Sequence, residues 1–230
     1  KLIRSLQPSM LIRRRGIDPY GDYDTPEREI PSTKDPKESE SPEPLNRYMP
    51  WKVIYPGSKQ FSHVWGDEFK SSDWVIEHLV DVVAKGGNFQ IGYGPGPDGR
   101  FDNEIKTILA EVGDWLKVNG EAIYGTRPYH VFREGKHIRF TKSKDNHFVY
   151  TIILNCPEGL FGPESIEIRS IRVKKGSMIS MLGIDHSFTY FQDEKKLVIK
   201  IPERLRSQEG RNGWNTMVFR LEPDNEELHG

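Results

Sequence analysis

Residues 71–99 read SSDWVIEHLVDVVAKGGNFQIGYGPGPDG, and their punctuation decides the architecture of the first half of the chain. Ile76, Leu79, Val80 and Val83 stand at the i, i+3, i+4 and i+7 spacing of one apolar helical face. Ser71 or Ser72 can cap the start by accepting a backbone N–H, and Gly86 with Gly87 supplies a left-handed stop. NFQIGYGP then reads as a buried strand ending in a glycine turn. In residues 96–120, GPDGRFDNEIKTILAEVGDWLKVNG, the helical spacing returns with Ile105, Ile108, Leu109, Val112 and Leu116, and Asn119 with Gly120 ends it. Upstream, SMLIRRR (9–15) and WKVIYP (51–56) read as short strands. Strand, helix, strand, helix is the order of a parallel α/β layer.

Outward from that layer the pattern changes twice. Residues 32–50, STKDPKESESPEPLNRYMP, are rich in Pro, Ser and charge, so they predict a long surface loop, either a functional wall or a bland insertion. From about residue 121 the runs HIRFTKSKDN, HFVYTIILNCPEG, ESIEIRSIRV, SMISMLG, SFTYFQDEKKLVIKIPE and NTMVFRLEP are β-type, separated by Gly, Pro, Asn and Asp. Half-buried strands of this kind cover one another's apolar faces as an antiparallel sandwich. The expected fold is α/β followed by all-β, with residues 1–120 as one domain and 121–230 as the other.

Composition narrows the function. The 230 residues are 35% hydrophobic, enough for a packed core, and a net charge of -1 provides no general attraction for nucleic acid or an anionic membrane. No apolar run reaches the roughly 18 to 20 residues of a membrane-spanning helix. Cys156 is the single cysteine, which excludes an internal disulfide and a cysteine-rich metal site. The histidines His63, His78, His130, His137, His147, His186 and His229 stand singly, with no HExxH spacing, so no metal site is expected. The glycine-rich turn lacks the Lys-Ser/Thr of a phosphate loop, and no cofactor is expected. RSIRVKK (169–175) belongs to a strand region, so nucleic acid is not an expected partner. Trp214 and the aromatics of SFTYF read as core packing, or else as a sugar-stacking surface.

Residues 20–31, YGDYDTPEREIP, crowd Asp22, Asp24, Glu27 and Glu29 into a segment that Gly21, Pro26 and Pro31 keep from becoming an ordinary helix. A solvated loop explains such acids, and so does a catalytic carboxyl held over a pocket.

Taken together, LQPSMLIRRRG, GDYDTPEREIP, DVVAKGGNFQIGYGPGPDG and GDWLKVNGEAIYGTRPY resemble, in order, the second half of an alpha-L-fucosidase of glycoside hydrolase family 29. The resemblance implies the C-terminal part of a (β/α)8 barrel followed by a β-sandwich, and hydrolysis of terminal alpha-L-fucose from fucosylated oligosaccharides or glycoconjugates with retention. Retaining glycosidases use two carboxyl groups about 5 to 5.5 Å apart, one attacking carbon and one serving as acid and then base. By resemblance Glu27, in DTPE, matches the proton donor, Arg15 a substrate-binding arginine, and Trp65 an aromatic beside the C6 methyl of fucose. Without that context Glu27 reads as a solvated acid and Trp65 as core filler. The nucleophile is expected upstream of Lys1, in the N-terminal half of the same barrel, so the 230-residue chain alone is expected to be inactive.

Two departures bear on specificity. A Trp-Glu pair that serves one branch of the family is here Trp51-Lys52, and a lysine cannot replace the acid; Asn-x-Arg is here Arg13-Arg14-Arg15. Either Arg13 or Lys52 then meets an anionic group such as sulfate on the substrate, or Arg13 pairs with a loop carboxylate. The rival to the enzyme reading is a noncatalytic carbohydrate-binding or scaffold protein with a degenerate barrel. Compartment is not legible in the residues; the resemblance suggests a secreted, periplasmic or lysosomal protein.

Overall fold

The computed structural model describes residues 2–13, 21–30, 51–155, 163–206 and 215–224. They fall into two compact units, Lys1–Lys70 with Lys85–Asp102, and Ser71–Ala84 with Asn103–Gly230. Arg15, Cys156, Trp214 and the polar stretch at 32–50 lie outside the described residues.

The first unit is built on a parallel pair, β1 (Lys52–Pro56) and β2 (Asn88–Gly92), in register from Lys52 opposite Asn88 to Pro56 opposite Gly92. Residues 23–28 run along the free side of β1. Asp24 and Glu27 bridge Trp51 and Ile54, and the carbonyls of Asp24 and Pro26 accept from Lys52 N (2.9 Å) and Ile54 N (3.0 Å). Pro26 has no N–H to lose, so it is tolerated where its carbonyl is what the neighbour needs. Arg13 bridges Tyr23 in the same parallel sense. Four extended segments therefore lie side by side in the order 13, 23–28, β1, β2.

Two expectations change here. The predicted strand at 9–15 is reduced, among its described residues, to the single bridge at Arg13. Beside that bridge the Asp22 carboxylate accepts from Ile12 N at 2.8 Å, so a side chain takes the place of a backbone acceptor there, and Asp22 N donates to Ile12 O at 2.7 Å. Ahead of it α1 (Leu2–Leu6) forms one short helical turn with no buried residue. Strand β2 is not buried either; Asn88 and Gln90 are exposed and Phe89, Ile91 and Gly92 are intermediate.

In the second unit α2 (Ser72–Ala84) starts under Ser71, whose Oγ accepts from Trp74 N at 3.2 Å. The chain leaves it through Gly86 at φ +82°, a conformation glycine adopts without Cβ strain. Helix α3 (Asn103–Asn119) buries Ile105, Ile108, Val112 and Trp115, whereas Leu109 is 41% exposed. The buried stripe turns toward Trp115 because its indole N–H donates to Thr216 Oγ1 at 2.6 Å, satisfying the one polar atom of a fully buried side chain.

The β part is a sandwich of antiparallel sheets. One has six strands in the order β3 (Thr126–Glu134), β4 (Ile138–Ser143), β5 (Val149–Ile153), β11 (Met217–Leu221), β7 (Ile179–Met181), β8 (Ile184–Phe188). The other has three, β6 (Ser165–Ile168), β10 (Leu197–Lys200) and β9 (Tyr190–Gln192). Phe140, Ile168, Ile179, Leu197, Ile199 and Phe219 are fully buried among them, each stabilising by about 1.5–3 kcal/mol against exposure. Phe188 joins this core edge-on to Phe219 at 5.2 Å, while Phe191 on β9 is 58% exposed. A part-buried pair, Arg139 Nε to Asp81 Oδ1 at 2.6 Å, ties α2 to β4.

Candidate functional site

Strand alternation sorts the side chains of the first unit onto two faces. Trp51, Val53, Tyr55, Phe89 and Ile91 share one face, with Val53 fully buried and Trp51 lying on Gly87, where an added Cβ would meet its ring at 2.5 Å. The other face carries Lys52, Ile54, Asn88 and Gln90, and the bridges put Glu27 with Ile54 and Arg13 with Tyr23 on that side. It is the polar face.

The contacts of Arg13 agree with this placement. Its Nε donates to Thr25 Oγ1 at 2.5 Å, and its Nη2 lies 3.7 Å from Glu27 Oε1, an ion pair too long for a hydrogen bond. That Nη2 is buried and has no hydrogen-bond partner among the described residues. The loop-carboxylate alternative for Arg13 is thus the arrangement found, and the carboxylate is Glu27 itself. Glu27 is 41% exposed. After Glu27 the chain turns away through Arg28 at φ +60°, whose N–H donates to Ile54 O at 3.0 Å and whose guanidinium lies 5.5 Å over the Phe61 ring. A non-glycine residue held there costs about 1–2 kcal/mol, so the turn that presents Glu27 is held by the contacts on either side of it.

At the C-terminal ends of β1 and β2 two loops are pressed together. Gly57 N donates to Gly92 O at 2.7 Å, and a Cβ on Gly94 would stand 2.2 Å from His63 N. Their approach forms an open groove of about 600 Å³ lined by His63, Val64, Trp65, Pro95, Gly96 and Pro97. Trp65 is 80% exposed, so it is not core filler; it stands edge-on to His63 with ring centroids 4.9 Å apart. His63 Nε2 is 3.5 Å from Asp102 Oδ2. Beneath the loops Tyr93 packs on Gly57, and burial pushes its phenol above the ordinary value.

The structure therefore puts Glu27 on the polar face of the sheet and Trp65 on a groove at the strand ends; Arg15 is outside the described residues. Sequence reasoning treated His63 as unremarkable and did not single out Asp102. The available signal was their position, each in a loop following a parallel strand, where α/β folds gather their functional groups. Among the described residues no group of three or more His, Cys, Asp or Glu side chains is placed to hold a metal ion.

The alpha-L-fucosidase family model matches residues 1–121, and the alpha-L-fucosidase C-terminal domain model matches residues 134–222. The chain belongs to the alpha-L-fucosidase family. It is 34% identical over 131 residues to the tissue alpha-L-fucosidase of Homo sapiens, covering 56% of this chain and 27% of that protein. With the Mus musculus tissue alpha-L-fucosidase it shares 32% over 130 residues, 56% of this chain and 28% of that one. Among solved structures, Thermotoga maritima alpha-fucosidase superposes with a TM-score of 0.74 at 24% identity, over 96% of this chain and 47% of that one. Alpha-L-fucosidase isoenzyme 1 from Paenibacillus thiaminolyticus gives 0.75 at 22%, over 97% and 52%. These structural likenesses speak to fold: the chain is part of the barrel followed by the β-sandwich. The match spans about a quarter of the curated relatives' length and about half that of the solved chains.

Proposed function

We propose that this chain is the C-terminal portion of a retaining exo-fucosidase that removes terminal alpha-L-fucose from oligosaccharides or glycoconjugates. In this reading residues 1–120 complete the catalytic barrel and 121–230 form the sandwich domain, and the N-terminal half of the same barrel is the partner that brings the nucleophilic aspartate. Glu27 is the acid/base: it gives a proton to the departing oxygen and then takes one from water. Arg15 holds sugar hydroxyls or a carboxylate through its planar fork of donors. Trp65 offers an apolar wall to the 6-deoxy carbon of fucose. The observation that carries the reading is the place of Glu27 on the polar side of a parallel sheet whose other face is apolar. Barrel enzymes take their catalytic groups from the C-terminal ends of their strands, and Glu27 ends the segment that runs along β1, just before the turn at Arg28.

The test uses the full-length parent protein. Glu27→Gln should lower kcat/KM, which reports the acid-assisted first step, by about 10²- to 10⁴-fold on a fucoside whose leaving group needs a proton, and far less on one that leaves unassisted. The released fucose should first appear as the alpha anomer. Equal losses on both substrates would remove Glu27 from the role. Binding of fucosides without hydrolysis would support the noncatalytic carbohydrate-binding reading instead.

A further inference from the structure

We propose that Lys52 binds an anionic substituent of the glycan beside the fucose, and so makes the parent enzyme selective for acidic fucosides. The inference rests on the fucosidase reading and deepens it. It starts from the charges that the described residues place on the polar face: Arg13, Glu27 and Lys52, two cations to one carboxylate. Arg13 is engaged, through Thr25 and Glu27. Lys52 makes no ion pair among the described residues, although its backbone is fixed at both sides, N–H to Asp24 O at 2.9 Å and register opposite Asn88.

Its neighbours on that face also matter. Asn88 lies opposite Lys52 and Gln90 opposite Ile54, both exposed, so the strip along β1 and β2 offers an ammonium and two amides, rich in N–H donors, with Glu27, which already faces Arg13, on its other side. Such a set suits a negatively charged oxygen group. Lys52 lies two residues before Ile54, and Ile54 pairs with Glu27, so Lys52 occupies the next position on the same face as the proposed proton donor. A substituent held there belongs to the sugar under attack or to the residue it leaves.

A sulfate ester and a uronate carboxylate share this chemistry, and the experiment separates them. The full-length protein is assayed on a neutral aryl alpha-L-fucoside, its sulfate ester, and a fucosyl uronate disaccharide. Wild type should favour one or both acidic substrates over the neutral one by about 10- to 100-fold in kcat/KM, the gain of a charge-assisted contact. Lys52→Met should bring that ratio to near one, mainly through KM, and Lys52→Arg should keep most of it. Loss confined to one arm identifies the ester or the carboxylate. A wild-type ratio near one, or a ratio unchanged in Lys52→Met, overturns the proposal. If no fucoside is hydrolysed, the fucosidase reading fails, and the same three compounds are compared by calorimetric binding: a charge preference that depends on Lys52 sustains this inference, and equal affinities overturn it.

Discussion

Gly94 is the most informative single position for testing the loop geometry. A Cβ built on it would stand 2.2 Å from His63 N, 2.5 Å from Ser62 C and 3.0 Å from His63 Cα, where ordinary Cβ contacts begin near 3.4 Å. All three are backbone atoms, so no side chain can swing aside. In Gly94→Ala one loop must retreat by roughly 1 Å, and overpacking of this kind costs about 1–3 kcal/mol. The retreating loop carries His63 and Trp65, and a misplacement of about 1 Å at a positioning group can cost about 100-fold in rate. Two other glycines calibrate the effect. Gly113 lies inside α3 with nothing within 4 Å of an added Cβ, so Gly113→Ala should stabilise by about 0.5–1 kcal/mol through helix propensity. Gly99 also has open space but sits at φ +77°, so Gly99→Ala should lose about 1 kcal/mol to backbone strain. Thermal unfolding of the full-length protein and kcat/KM on an aryl fucoside are measured for all three. The steric argument fails if Gly94→Ala matches wild type in both, or if Gly99→Ala proves the more damaging of the two loop changes.

Other consequences are read from the second unit. Arg139→Ala removes the Nε donor that sits 2.6 Å from Asp81 Oδ1 in a part-buried pair and should cost about 1–3 kcal/mol in chemical denaturation; a stability equal to wild type would refute that contribution. Trp115→Phe keeps most of the apolar volume but removes the donor to Thr216 Oγ1, so a loss of about 1–3 kcal/mol is expected, largely recovered when Thr216→Val is added. Glu77 is held above the ordinary 4.5 by burial and by Asp73. Its folded form therefore keeps a proton that the unfolded chain has lost, and this group's contribution to stability falls as pH rises through the interval just above 4.5. Glu77→Gln, which retains a partner for Asn155, should be more stable than wild type at neutral pH and lose the advantage in acid; the same gap at both pH values would refute the assignment.

Legibility followed the strength of the local period. Helices α2 and α3 and the parallel relation of β1 and β2 could be read because i, i+3, i+4 spacing and glycine stops are local facts, whereas the short α1, with no buried face, left no such period. Strand β3 was missed: TRPYHVFRE contains Pro128 and two arginines, and its exposure is mixed, so its place comes from pairing with β4. The stripe of α3 was read through Leu109 when Trp115 defines it, because the deciding hydrogen bond reaches 101 residues along the chain. At the site, Glu27 and Trp65 could be proposed from resemblance. The link between Arg13 and Glu27, and the groove shared by His63 and Trp65, depend on which backbones lie side by side.

The acids at 22–29 show how that dependence works. Four carboxylates in one short segment look interchangeable as letters, yet alternation gives each a different neighbour. Asp22 is spent on Ile12 N and on Arg4, at 2.8 and 2.6 Å, and those two contacts hold its carboxyl below the ordinary range. Asp24 bridges Trp51 and so belongs to the apolar side, whereas Glu27, three residues on, bridges Ile54 and belongs to the polar side. Glu29 follows the left-handed turn at Arg28 and is exposed. A single-residue slip of 23–28 along β1 would exchange Asp24 for Glu27 on the polar face. The hydrogen bonds from Lys52, Ile54 and Arg28 that fix this register are therefore as much a part of the proposed site as the carboxyl they position.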